Sequence, residues 1–98
     1  MDDIMQLGGN ISLVGFRELD SGKMIVIKKL TGTYVRKMQE KTQKFESLHL
    51  HLKNIHASKY EIQAKAVING QPYNAEVTDF NLFFAVDKVL AKVLEEVS

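Results

Sequence analysis

Three histidines are the residues of this sequence best suited to binding a metal ion. His49 and His51 would share one face of a strand, because side chains alternate along a strand, and His56 follows them. A facing carboxylate, such as that of Glu61 or Glu76, would give them a third ligand. The sequence has no cysteine and no helical His–Glu spacing. We therefore expect the histidines to form the polar face of a half-buried strand, and we predict no metal site.

The motifs of hydrolases and of nucleotide-binding proteins are not found in the sequence. Its acids are scattered, and no Ser-His-Asp or Gly-x-Ser-x-Gly pattern occurs. Gly8, Gly9 and Gly32 do not precede the Lys-Ser/Thr ending of a phosphate-binding loop. We expect no enzymatic activity, no cofactor and no small-molecule substrate.

Basic residues are concentrated in the middle of the chain. Residues 17–65 contain eleven of the 13 Lys and Arg residues and five acids, a net charge of +6, whereas the whole chain has +1. Between Ser21 and Lys44, seven bases accompany the single acid Glu40. A local excess of this size can form a basic surface on a protein that is nearly neutral overall, and it suggests a polyanionic partner.

The basic segment is predicted to be a helix that exposes its cations. Cations spaced along a helix can contact phosphates, and phosphate contacts supply most of the non-specific affinity for nucleic acids. A solvated helix face that keeps the protein soluble is the alternative. Two further lysines, one turn apart in the last helix, would extend the surface. The predicted RNA-binding residues are Lys28, Lys29, Arg36, Lys37, Lys41, Lys44, Lys88 and Lys92.

Hydrophobic spacing predicts the elements of the N-terminal half. Residues 1–10 end in Gly-Gly-Asn and are expected to form a flexible tail. Residues 11–19 are rich in β-branched and aromatic residues, which is typical of a strand. Asp20 and Ser21 then offer a cap for a helix whose predicted buried face comprises Ile27, Leu30, Tyr34 and Met38. In an alternative interpretation, residues 24–27 form a second strand of a hairpin.

The C-terminal half contains the clearest strand pattern. Leu48, Leu50 and Leu52 alternate with polar residues, and a second alternating run covers residues 60–68. Asn69-Gly70 predicts a tight hairpin turn into a third strand. Either Asp79 or Asn81 caps a closing helix, whose apolar stripe comprises Phe83, Val86, Leu90, Val93 and Val97.

The element order is therefore β-α-β-β-β-α. We predict an α+β two-layer sandwich, in which two helices cover one face of a four-stranded, mainly antiparallel sheet. Residues 11–98 are expected to form a single domain, because 98 residues suffice for one core. The predicted core comprises Ile27, Leu30, Tyr34, Met38, Leu48, Leu50, Leu52, Ile62, Ala64, Phe83, Val86, Leu90 and Val93.

Composition limits the cellular setting. The absence of cysteine excludes a disulfide framework, and no apolar run approaches the roughly 20 residues that span a bilayer. The start, Met1-Asp2-Asp3, is acidic where a secretory signal would be basic. We expect a cytoplasmic protein without a membrane partner.

Residues 59–97 resemble the N-terminal domain of ribosome hibernation-promoting factors, also called ribosome-associated inhibitor A. The family's closing helix reads as an acidic cap, an aromatic or Met pair, Ala-Ile-Asp, an apolar pair and Lys-Leu. The matching positions here are Asp79, Asn81, Phe83, Ala85-Val86-Asp87, Val89-Leu90 and Lys92-Val93. The sequence departs from the family in its ten-residue N-terminal extension and in Glu95-Glu96, which replace a longer basic run.

The resemblance implies a fold like that of double-stranded-RNA-binding domains and a ribosomal partner. Family members bind the small ribosomal subunit in the channel used by messenger and transfer RNA and thereby stop translation. Lys88 and Lys92 match basic positions of the family's second helix, and the first helix matches only in being basic. We therefore expect an RNA-binding module that docks on the small subunit and inhibits or protects idle ribosomes.

A protein-interaction domain is the alternative function. In that case the free polar face of the sheet would contact a protein partner without RNA binding. The residues of this face would be His49, His51, Glu61, Gln63 and Lys65, with Val67 exposed among them.

Overall fold

Five strands and two helices make up the structure, a computed structural model that describes residues 4–8, 10–55 and 59–97. The elements are β1 (Ile4–Leu7), β2 (Ile11–Val14), α1 (Ser21–Lys41), β3 (Phe45–Ile55), β4 (Lys59–Ile68), β5 (Gln71–Asp79) and α2 (Leu82–Glu96). His56, the third histidine of the sequence, lies outside the described residues. No helix of this part of the chain is long and apolar enough to cross a membrane.

The strands form one mixed sheet in the order β1-β2-β3-β4-β5. Strands β2 and β3 are parallel and are joined through α1, whereas every other neighbouring pair is antiparallel. Both helices lie on the face that carries Leu48, Leu50 and Leu52. The predicted α+β sandwich is therefore confirmed.

The sheet has one strand more than the four predicted. Residues 4–7, which the sequence assigned to a flexible tail, form an edge strand in which Ile4 pairs with Val14 and Leu7 with Ile11. Met5 and Leu7 are half-buried and pack against the core. This apolar contact and the pairing with β2 explain why the segment is a strand.

Strand β2 ends at Val14, five residues before the predicted boundary at Leu19. Gly15 ends it with a φ of +86°, a backbone conformation that favours glycine. A Cβ atom at this position would also overlap the carbonyl oxygen of Leu52. The turn redirects the chain, and the fully buried Phe16 follows it into the core.

Helix α1 begins where the sequence predicted. The Asp20 carboxylate accepts a hydrogen bond of 2.8 Å from the amide of Lys23, which caps the helix. Residues 24–27 belong to this helix, so the alternative strand is wrong. The helix buries Met24, Ile27, Thr31, Val35 and Met38, and Thr31 satisfies its hydroxyl by donating to the Ile27 carbonyl at 2.8 Å.

The core between sheet and helices contains most of the predicted residues. Leu48, Leu50 and Ile62 are fully buried, together with Val86, Leu90 and Val93 of α2. Leu30, Tyr34 and Phe83 are instead half-buried at the edge of the same cluster. Further core residues that the sequence analysis did not name are Leu13, Phe16, Met24, Val35, Ala66, Ile68, Val77, Leu82, Ala85 and Val89.

The two local signals of the C-terminal half correspond to a turn and a cap. Asn69 and Gly70 have φ of 55° and 77° and connect β4 to β5 as predicted. The amide of Gly70 donates a 2.7 Å hydrogen bond to the Glu46 carboxylate. Asn81 caps α2 by accepting from the Phe84 amide at 3.0 Å, and Asp79 in turn accepts from the Asn81 amide at 2.9 Å.

Candidate nucleic-acid interface

The two helices lie side by side on the sheet and are linked by two side-chain hydrogen bonds. The Tyr34 hydroxyl donates to Asp87 at 2.9 Å, and the Lys41 ammonium donates to the carbonyl of Leu94 at 3.1 Å. Burial, together with the hydrogen bond to Asp87, raises the pKa of Tyr34 above its usual value, so this phenol remains a donor further into the alkaline range. Helix α2 packs over β4 and β5. The paired helices therefore present a common outer surface.

The five predicted cations of α1 are all exposed and are distributed over its outer half. Lys37 and Lys41 lie on the side facing α2, where the Lys37 ammonium is 5.1 Å from the centroid of the Tyr34 ring. Each residue advances about 100° around a helix, so Lys29 and Arg36 project from the outer surface and Lys28 from the side away from α2. Exposed Glu40 lies among them. The basic residues thus cover a broad surface.

Lys44 does not belong to the helix, contrary to the basic segment assumed from the sequence. Helix α1 ends at Lys41, and its C-cap is Thr42. The Lys44 amide donates to the Thr42 hydroxyl at 3.1 Å, and its carbonyl accepts from the Asn69 amide at 2.9 Å. Lys44 therefore lies in the turn before β3, beside the β4–β5 hairpin.

The two lysines of α2 are exposed but have different surroundings. The Lys88 ammonium is 4.9 Å from the centroid of the Phe84 ring, on the outer surface of the helix. The Lys92 ammonium donates to the Glu76 carbonyl of β5 at 3.4 Å. Because Asp87 and Leu94 mark the side of α2 that faces α1, helical periodicity places Lys92 on the opposite side. The structure brings Lys37 and Lys41 close to α2 but separates both from Lys92.

The opposite face of the sheet is polar and contains a shallow concavity of about 510 Å³. Its lining includes His49, His51, Gln63, Lys65 and Glu76. The strand register brings these side chains together, since His49 pairs with Lys65 and His51 with Gln63. The expectation that His49 and His51 form the polar face of a strand is confirmed. Within residues 4–8, 10–55 and 59–97, no group of three or more His, Cys, Asp or Glu residues is placed to hold a metal ion.

Two carboxyl groups on this polar face, those of Glu61 and Glu76, shift each other's pKa in opposite directions. A hydrogen bond from Glu76 lowers the pKa of Glu61, and the same hydrogen bond, together with charge repulsion, raises the pKa of Glu76. The Gln63 amide donates to Glu61 at 3.1 Å, and the positive charge of Lys53 also lowers the pKa of Glu61. Glu76 is therefore the carboxyl that retains the proton to higher pH.

Of the three phenylalanines at the start of α2, the predicted core includes only Phe83. Phe80 and Phe84 are 66% and 47% exposed, and the Lys59 ammonium is 5.4 Å from the centroid of the Phe80 ring. The spacing of the apolar residues in α2 could have identified these two rings as exposed. Phe84 falls outside the apolar stripe by helical spacing, and Phe80 precedes the Asn81 cap.

Solved structures of other proteins share this architecture. The N-terminal domain of Protein Y from Thermus thermophilus superimposes with a TM-score of 0.69 at 15% identity, over 95% of this chain and 96% of that chain. A ribosomal subunit interface protein from Coxiella burnetii gives 0.63 at 13% identity, over 90% of each chain. The chain has the fold of these two proteins. Both belong to the hibernation-promoting factor family, so the fold resemblance inferred from the sequence is confirmed.

Comparison at the level of sequence gives no match. No protein-family model matches the chain, and a search of curated proteins gives no match. At the identities of the two solved structures the likeness establishes the fold alone. The eight predicted RNA-binding residues remain predictions.

Proposed function

We propose that this protein is a ribosome-associated factor that docks on the small ribosomal subunit and inhibits or protects idle ribosomes. The observation that carries the proposal is the fold match to the Protein Y domain, which covers 95% of this chain and 96% of the other. A match over nearly all of both chains involves the sheet and both helices together. The second match, to a ribosomal subunit interface protein, supports the same class of partner.

The basic helix surface is the face we propose to contact ribosomal RNA. We define it as Lys28, Lys29, Arg36, Lys37, Lys41 and Lys88, all of which are exposed on α1 and α2. Phosphate contacts by such cations position a protein on RNA without reading its sequence. Lys44, in the turn before β3, and Lys92, on the side of α2 away from α1, would add peripheral contacts.

Sedimentation with purified ribosomal subunits tests the proposal directly. The protein is expected to pellet with small subunits at low salt and to be released as salt rises, because each phosphate contact adds roughly 0.7–0.9 to the slope of log affinity against log salt. Large subunits serve as the control. An absence of binding to small subunits at low salt would contradict the proposal. A cell-free translation assay with added protein then tests for inhibition.

The concavity on the polar sheet face favours a second candidate function. Its lining of His49, Gln63, Lys65 and Glu76 offers donors and acceptors to a protein partner. Polar contacts of this kind depend less on salt than several phosphate contacts do. If a Lys65→Ala variant lost small-subunit binding while loss of basic-helix charges had no effect, the sheet face would be the interface.

A further inference from the structure

Two exposed phenylalanines stand at the start of α2, and each has a lysine ammonium group near its ring. Phe80 is 66% exposed and Phe84 is 47% exposed. The ammonium of Lys59 is 5.4 Å from the centroid of the Phe80 ring, and that of Lys88 is 4.9 Å from the centroid of the Phe84 ring. The rings lie on either side of the capping residue Asn81 along the chain.

The core does not require these rings. At this end of α2 the buried contacts come from Leu82, Ala85 and Val86. Two large aromatic side chains left in water forgo the stabilisation that burial would provide. Two exposed aromatic rings on one short segment are a surface feature that suits contact with a ligand.

An aromatic ring beside an ammonium group has the chemistry that binds an unpaired nucleotide. The ammonium group lies over the ring, so the base stacks on the ring as the lysine exchanges its cation–π contact for a phosphate. Asp79, the nearby acid, is half-buried and holds the turn by accepting from the Asn81 amide at 2.9 Å. A continuous duplex hides the faces of its bases within the stack, so only a single-stranded segment can use these rings.

We propose that Phe80 and Phe84, together with Lys59 and Lys88, form a stacking site for unpaired nucleotides of single-stranded RNA. This proposal rests on the proposed function, because it takes RNA as the ligand. It adds a preference of the protein for unpaired over base-paired RNA segments. Lys88 joins the stacking site to the basic helix surface.

A variant that removes the rings but keeps apolar side chains tests the site. In Phe80→Leu, Phe84→Leu, the affinity for a short labelled single-stranded RNA should fall by about tenfold or more for each ring that stacks. The affinity for an RNA duplex and the salt slope should not change, because no charge is lost. Phe80→Tyr, Phe84→Tyr keeps the rings and should retain binding. Ile25→Ala, at a residue of α1 that is 57% exposed, is the matched apolar control.

The outcomes separate this site from the proposed function. Unchanged single-stranded RNA binding by the leucine variant would overturn the stacking site. If small-subunit binding nevertheless fell, the rings would contact ribosomal protein. In the converse outcome, the wild-type protein binds neither duplex RNA nor small subunits at low salt, and the leucine variant loses affinity for single-stranded RNA. That outcome would support the stacking site and contradict the proposed function.

Discussion

Lys29 and Arg36 provide the sharpest test of the basic helix surface. They lie on the outer surface of α1, seven positions or roughly 10 Å apart along the helix axis. Lys37 and Lys41, in contrast, contact residues at the boundary between the helices. A Lys29→Gln, Arg36→Gln variant therefore removes two charges and leaves both interhelical hydrogen bonds in place. Because Gln has nearly the helix propensity of Lys and Arg, unfolding free energy should change by less than ~0.5 kcal/mol.

The expected loss of binding follows from counterion release. Each phosphate contact contributes about 0.9 to the salt slope on a duplex and about 0.7 on a single strand. Two lost contacts lower the slope by about 1.4 to 1.8. At 1 M salt the counterion contribution vanishes, so the variant and the wild-type protein should bind equally. At 0.1 M salt the variant should therefore bind about 25- to 60-fold more weakly than the wild-type protein.

A variant with the same loss of charge on the other face is the matched control. Lys53 and Lys65 are exposed on the polar sheet face, and Lys53→Gln, Lys65→Gln also lowers the net charge by two. Binding to small subunits and to RNA should be measured across a salt series for both variants, with a denaturant midpoint for each. Equal loss in the two variants would show that only net charge matters, and equal retention would refute phosphate contacts by Lys29 and Arg36.

Three further predictions concern the fold and the polar sheet face. Leu50→Ala should cost about 2–5 kcal/mol in denaturant unfolding, because Leu50 is fully buried, and a loss below ~1 kcal/mol would contradict its central position. Gly15→Ala should destabilise more than Gly70→Ala, since both glycines have positive φ but only a Cβ at Gly15 meets backbone atoms; equal costs in thermal melts would contradict that contact. Glu61→Gln removes the carboxylate whose hydrogen bond and charge raise the pKa of Glu76, so Glu76 should titrate at lower pH in the variant. An unchanged NMR titration of Glu76 would contradict this coupling.

Short-range signals in the sequence determined most of the element boundaries. The φ values of Asn69 and Gly70 and the cap at Asp20 depend on residues within a few positions, so their patterns were sufficient. At α2 the pattern left two candidate caps, Asp79 and Asn81, and the structure shows that Asn81 is the cap. The alternation of Leu48, Leu50 and Leu52 likewise fixed which face of β3 is buried, because a strand has a period of two. The α+β sandwich followed from the order of these elements.

Tertiary contacts decided the features that depend on a distant partner. Strand β1 has only four residues and exists because β2 supplies its hydrogen bonds, which no local pattern could reveal. The position at the end of β2 requires glycine because the Leu52 carbonyl, in a different strand, occupies the space that a Cβ atom of residue 15 would need. The same holds for Tyr34, whose spacing predicted burial but whose hydroxyl reaches Asp87 at the edge of the core.

For the candidate interface too, the sequence determined one property and the tertiary structure another. The sequence alone determined that this protein is locally basic, because charge is a sum over residues and needs no coordinates. Only the tertiary structure decided which cations share a surface: the turn after α1 carries Lys44 off the helix, and the packing of α2 over β5 directs Lys92 away from Lys37. The placement of a side chain relative to another element depends on how the two elements pack, and that packing is settled by the whole core at once.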